Sequence, residues 1–162
     1  MPAIWTAPRD WKAGEIVTPA LMNAHVRDNL SWLKTPTSGF KLVSSDIATT
    51  STSFVDITGA SVSITTNGGN VLCMFTACYT ASTSLTLQIR FTQDGSPTVQ
   101  LAQLTNPTTT GQMLSCFWLL QPAAGAHTFT VQHKTTAGTI TLAGSSIAYA
   151  TFAAIETGWS PA

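Results

Sequence analysis

The sequence predicts an all-β fold: an antiparallel jelly-roll β-sandwich preceded by a short N-terminal extended segment and one helix. Three observations predict it. From Phe40 onward the apolar residues recur with a period of two, and β-branched residues dominate. Turn signals break that pattern at Asn67-Gly68-Gly69-Asn70, Asp94-Gly95, Pro122 to Gly125 and Ala137-Gly138. Helical spacing occurs once, and it lies before Phe40.

The N-terminal part, residues 1–38, holds Trp5, Trp11 and Trp32, three of the chain's five tryptophans. A helix is expected over 18–34. Thr18 can cap it, Pro19 suits its first position, and Met22, Val26, Leu30 and Leu33 make one apolar stripe. Asn23, Arg27, Asp28 and Lys34 lie off that stripe. Thr35-Pro36-Thr37-Ser38-Gly39 ends the helix and reads as a linker. A single amphipathic helix cannot bury its stripe alone. With Trp5, Trp11 and Ile16, the stripe is expected either to dock on another protein or to fold back and cap the sandwich.

The second part, residues 39–162, is expected to hold strands near 41–43, 54–57, 61–65, 71–79, 85–93, 98–104, 113–120, 128–135 and 147–155, with a short one at 139–142. Two of these have one wet face. Leu85, Leu87, Ile89 and Phe91 alternate with Thr86, Gln88, Arg90 and Thr92, and the strand at 128–135 alternates in the same way. Three others, at 71–79, 113–120 and 147–155, carry no charge and are apolar on both faces. In a two-layer sandwich each strand buries one face and turns the other outward. A sheet apolar on both sides therefore needs a further cover, since a free monomer does not tolerate so large an apolar patch. Contact between copies of the chain is the favoured cover, through the large residues Phe75, Trp118, Tyr149 and Phe152; the N-terminal helix is the competitor.

Composition points the same way. Charged residues make up 9% of the 162 residues, against roughly 25% in ordinary soluble domains. So bland a surface is best tolerated inside an assembly. The formal net charge of zero and the lack of a basic stripe argue against nucleic-acid binding. No apolar run approaches the ~20 residues that span a bilayer. The N-terminus lacks the basic start and apolar core of a secretory signal, so assembly in a cytosol is expected. Cys73, Cys78 and Cys116 are expected to be reduced, small buried hydrophobes. Cys73 and Cys78 are five apart on one strand and so face opposite sides.

Two resemblances cover nearly the whole chain. The order of half-wet and dry strands, with 54–57 and 61–65 taken as one bent second strand, resembles the trimeric jelly roll of the tumour necrosis factor-like and complement globular-head superfamily. The segments SVSITTNGGNVLCMF (61–75), QIRFTQDG (88–95), PAAGAHTFTVQHKT (122–135) and AYATFAAIE (148–156) resemble versions of that fold in phage tail and fibre proteins. WTAPRDWKAGEIVTPALMNAHVRDNLSWLK (5–34) resembles, more specifically, the opening of small structural proteins of tailed bacteriophages. The resemblance implies a homotrimer whose first, third, sixth and last strands surround the three-fold axis. It also implies attachment to other virion proteins through residues 1–38, and contact with a host surface or glycan.

Chemistry is sparse. The carboxylates are scattered singly, and no phosphate loop, nucleophile elbow or HExxH motif occurs. His25 lies in the helix, His127 at a strand start and His133 on the apolar side of its strand. His127 and His133 are ~20 Å apart at ~3.3 Å per residue, too far to share a metal. No catalytic, cofactor-binding or metal-binding residue is expected. Three readings remain open: a tail or fibre component, a capsid decoration or head-fibre protein, and a freestanding carbohydrate-binding domain. The tryptophan-rich N-terminus disfavours the last.

Overall fold

The computed structural model describes residues 6–7, 9–34, 36–107, 109–144 and 149–157, with the side chains of 32–34 and 99–101 outside that description. The helical region begins as expected: Thr18 accepts a hydrogen bond from Leu21 N at 3.3 Å, and Pro19 opens the first turn. It is not one regular helix. α1 (Pro19–Met22) passes into a wider π-turn (Asn23–Arg27), in which Asp28 N donates to Asn23 O, and then into α2 (Asp28–Lys34). No helix among the described residues is long and apolar enough to cross a membrane.

Ten strands follow: β1 (Ser38–Val43), β2 (Ile47–Thr49), β3 (Val55–Asn67), β4 (Val71–Ala81), β5 (Thr86–Gln93), β6 (Ser96–Thr105), β7 (Gln112–Leu120), β8 (Ala124–Thr135), β9 (Ile140–Ala143) and β10 (Ala150–Glu156). All pairings are antiparallel and form two sheets. One sheet runs β3-β8-β5-β6. In the other, β7 lies along one edge of β4, while β10 and β9 lie end to end along its opposite edge, with β1 and β2 outside them. This is the jelly-roll order expected from the sequence: the strands expected as first, third, sixth and last are β1, β4, β7 and β10, and they share a sheet. The two segments expected at 54–57 and 61–65 are indeed one strand, bent by a register shift between Asp56 and Ser61. The short strand β2 was not expected, and residues 147–148 of the strand expected at 147–155 lie outside the described residues.

The core lies between the sheets, where Phe75, Tyr79, Leu87, Ile89, Phe129, Val131, Leu142 and Phe152 are fully buried. The rings of Phe91 and Phe152 stack across it with centroids 5.9 Å apart. At one edge the sheets approach so closely that a Cβ on Gly39 would overlap Val62 Cγ1, which only glycine avoids. The β5–β6 hairpin turns at Asp94 and Gly95, at φ 51° and 77°, the left-handed pair that an Asp-Gly turn supplies.

Candidate assembly interface

Along β4, β7 and β10, one set of alternate residues enters the core. Val71, Cys73, Phe75, Ala77 and Tyr79 do so from β4, and Ala150, Phe152 and Ala154 from β10. Leu114, Cys116, Trp118 and Leu120 of β7 are half-buried on the same side. Phe75, Trp118 and Phe152, expected at the trimer interface, therefore lie on the core side of the sandwich, and of the pair Tyr149 and Phe152 it is Phe152 that the core takes. Their strands present two apolar faces, and the core took the one that holds these rings. Of the four, only Tyr149 is exposed.

The outward set is continuous across four strands. The register aligns Phe40, Ala153, Met74 and Phe117 in one row, and Ile155, Leu72 and Leu119 in the next. Phe117 is 74% exposed, Phe40 63% and Met113 58%. On the other side of the Phe40–Phe117 row runs a hydroxyl row, Thr151, Thr76 and Ser115, with Thr76 and Ser115 oxygens 3.1 Å apart. Strands ~4.8 Å apart and rows ~7 Å apart give the face an area of a few hundred Å², the size at which exposed patches mark contact sites. No charged residue interrupts these rows.

The N-terminal segment forms a second exposed apolar surface. Several of its polar contacts are internal. Asn29 meets the backbone of Thr6 in both directions, donating to Thr6 O and accepting from Thr6 N, each at 2.9 Å. Arg9 pairs with Glu15 and stands 5.0 Å over the Trp11 ring, which meets His25 edge-on. The expected stripe stays outside: Ile16 is 81% exposed, and Trp11, Met22, Val26 and Leu30 are also exposed. Trp5 and the side chain of Leu33 lie outside the described residues. Asn29, the centre of this arrangement, escaped sequence reasoning because nothing in its surroundings distinguishes it from a solvated helix residue.

The titratable groups serve the fold. Glu156 is fully buried at the end of β10, where its carboxylate accepts from Asn67 N at 2.7 Å and Gly69 N at 3.1 Å, pinning the β3–β4 turn. His127 lies between two acceptors, Asp94 Oδ2 at 2.7 Å and Ala123 O at 2.9 Å. Both ring nitrogens can donate only in the imidazolium. The Asp94 hydrogen bond accordingly raises the His127 pKa, and the same bond lowers that of Asp94. His133 is buried beside Tyr79, and burial lowers its pKa to about 4. Among the described residues, neither its Nδ1 nor the Tyr79 hydroxyl has a hydrogen-bond partner. Burial also pushes the thiols of Cys73 and Cys116 up to about 12. The three cysteines are free thiols, and no cluster of metal-ligating residues occurs among the described residues.

No family model and no curated protein matches the chain. Among solved structures it is similar to the Eiger TNF of S. frugiperda, with a TM-score of 0.54 and 12% identity over 79% of this chain and 97% of that one. Murine APRIL at pH 8.5 gives a TM-score of 0.47 and 12% identity over 75% and 99% of the two chains. A capsid chain of the T13 IBDV particle gives 0.46 and 11%, over 75% of this chain and 35% of that one. The sandwich has the tumour necrosis factor-like jelly-roll fold.

Proposed function

We propose that this chain is a non-enzymatic structural subunit of a tailed-phage virion, a homotrimer built through the outer face of the β1-β10-β4-β7 sheet. The observation that carries the proposal is the uncharged apolar face running from Phe40 through Met74 to Phe117. Water is a poor neighbour for it, and a second copy offers a matching surface. Three copies is the number that the tumour necrosis factor-like resemblance implies. Residues 1–38 anchor the trimer to another virion protein through Trp5, Trp11, Ile16, Met22, Val26, Leu30 and Leu33. Exposure of the described part of that stripe favours docking over self-capping. The opposite sheet, β3-β8-β5-β6, is left for contact with a host surface, as in a tail or fibre component. A capsid decoration or head-fibre protein would use the same trimer and anchor.

Sedimentation equilibrium on the full chain at about 10 µM, far above a nanomolar Kd, tests the assembly. Three times the chain mass is expected for the wild type. Phe117→Asp, on the exposed edge strand, should give a folded monomer. A monomeric wild type, or a Phe117→Asp trimer, overturns the proposal. Deleting residues 1–38 should leave a trimer that no longer enters particles.

A further inference from the structure

The sandwich half of the sequence, residues 39–162, has three basic side chains: Lys41, Arg90 and Lys134. Two of them stand together. Arg90 on β5 and Lys134 on β8 both face outward on the β3-β8-β5-β6 sheet, one register step apart, because Gln132 lies opposite Arg90 and Lys134 opposite Gln88. Both cations sit over one ring: the Arg90 guanidinium is 4.1 Å and the Lys134 ammonium 4.8 Å from the Phe54 centroid. The ring face attracts each of them and so gathers two like charges on one spot. Among the described residues, neither forms an ion pair with a carboxylate. The nearby acid, Asp56, is linked to Arg90 through an amide: Gln132 donates to Asp56 Oδ1 and accepts from Arg90 Nε, each at 2.7 Å. That contact occupies one guanidinium N–H and leaves the terminal amino groups available. Beside the pair, Gln88 and Gln103 join across β5 and β6 at 3.3 Å, and the hydroxyls of Ser61 and Thr130 meet at 3.0 Å.

We infer that this outer face is a binding site for an acidic glycan, with Arg90 and Lys134 taking its carboxylate or sulfate and the flanking amides and hydroxyls taking sugar hydroxyls. Two cations held over one ring, neither in an ion pair among the described residues, make the local potential positive, and that potential selects an anion. The ladder of amides and hydroxyls around the cations offers the array of donors and acceptors that a sugar chain needs. The inference rests on the host-contact part of the proposed function. It is separate from the assembly part, because the site lies on the sheet opposite the assembly face.

Calorimetric titration of the full-length protein tests it with four probes: a carboxylated galacturonate hexamer, a sulfated heparin hexasaccharide, a neutral dextran oligomer and an oligothymidylate. Binding of at least one acidic oligosaccharide is expected with a Kd on the order of 1 mM or tighter, weakening with salt. Arg90→Gln and Lys134→Gln should each weaken it about tenfold. The Lys134 side chain makes no hydrogen bond among the described residues, so its variant keeps the fold even if Arg90→Gln does not. Which acidic probe binds tells carboxylate from sulfate. Failure of both acidic probes, equal binding of dextran, equal or tighter binding of oligothymidylate, or unchanged affinity in Lys134→Gln overturns the inference. None of these results bears on the oligomeric state read by sedimentation.

Discussion

His133 makes the fold sensitive to mild acid. Its ring is fully buried between β5 and β3, beside Tyr79, and its Nδ1 has no partner to stabilise a charge. Burial holds its pKa at about 4, whereas the unfolded chain returns it to the ordinary 6.5. Between those values the unfolded state carries a proton that the folded state refuses, so stability rises with pH. It is fully present above about 6.5 and falls as the solution is acidified toward 4. A gap of that size, at 1.36 kcal/mol per pH unit, is worth about 3 kcal/mol. Urea denaturation at fixed protein concentration, at half-unit steps from pH 7.5 to 4.5, measures it. The control is His133→Leu, which removes the proton acceptor while keeping an apolar side chain of similar bulk. The wild type should lose stability steadily below about pH 6.5, and the variant should lose about 3 kcal/mol less over the same range. Parallel profiles for the two proteins would refute the reasoning, since the acid sensitivity would then come from other groups.

Three further outcomes are expected. Asp94→Asn should bring the His127 pKa down toward 6.5, read from its ring proton shifts in an NMR titration, because the carboxylate that raises it is gone. Glu156→Ala should leave the amides of Asn67 and Gly69 without an acceptor and cost about 2–4 kcal/mol in chemical denaturation. Gly39→Ala should cost about 1–3 kcal/mol or more, since its Cβ would overlap Val62 Cγ1, and Val62→Ala should restore part of the loss.

The strands with one wet face were legible in the sequence. Leu87, Ile89 and Phe91 fall inward and Gln88 and Arg90 outward, as a period of two dictates. The dry strands gave their positions but not their orientation, because two apolar sets alternate and either can fill the core. The core took the set that holds Phe75 and Phe152. Glu156 points the wrong way as a clue. It shares the inward set with Phe152 and is tolerated there only because the β3–β4 turn supplies its donors. A better signal was present. Each dry strand has a hydroxyl residue in its outward set, Thr76, Ser115 or Thr151, and the register brings the three into one row. The π-turn at Asn23–Arg27 and the three-residue β2 left no pattern long enough to read. Asp94 was explained by its turn alone, and its bond to His127 spans strands that only the folded sheet brings together.

The place of β10 sets the order in which this molecule can mature. β10 does not add to an edge but slots between β1 and β4, pairing with both. The β4–β7 pair and the whole opposite sheet can zip up before it arrives, while β1 waits without its neighbour. Long-range pairing of this kind is slow, because loop closure must precede the contacts that reward it. Phe40 and Met74, on β1 and β4, become parts of one surface only when Ala153 fills the gap between them. A half-folded chain therefore presents no complete face, so in the proposed trimer association would wait until the last strand is seated.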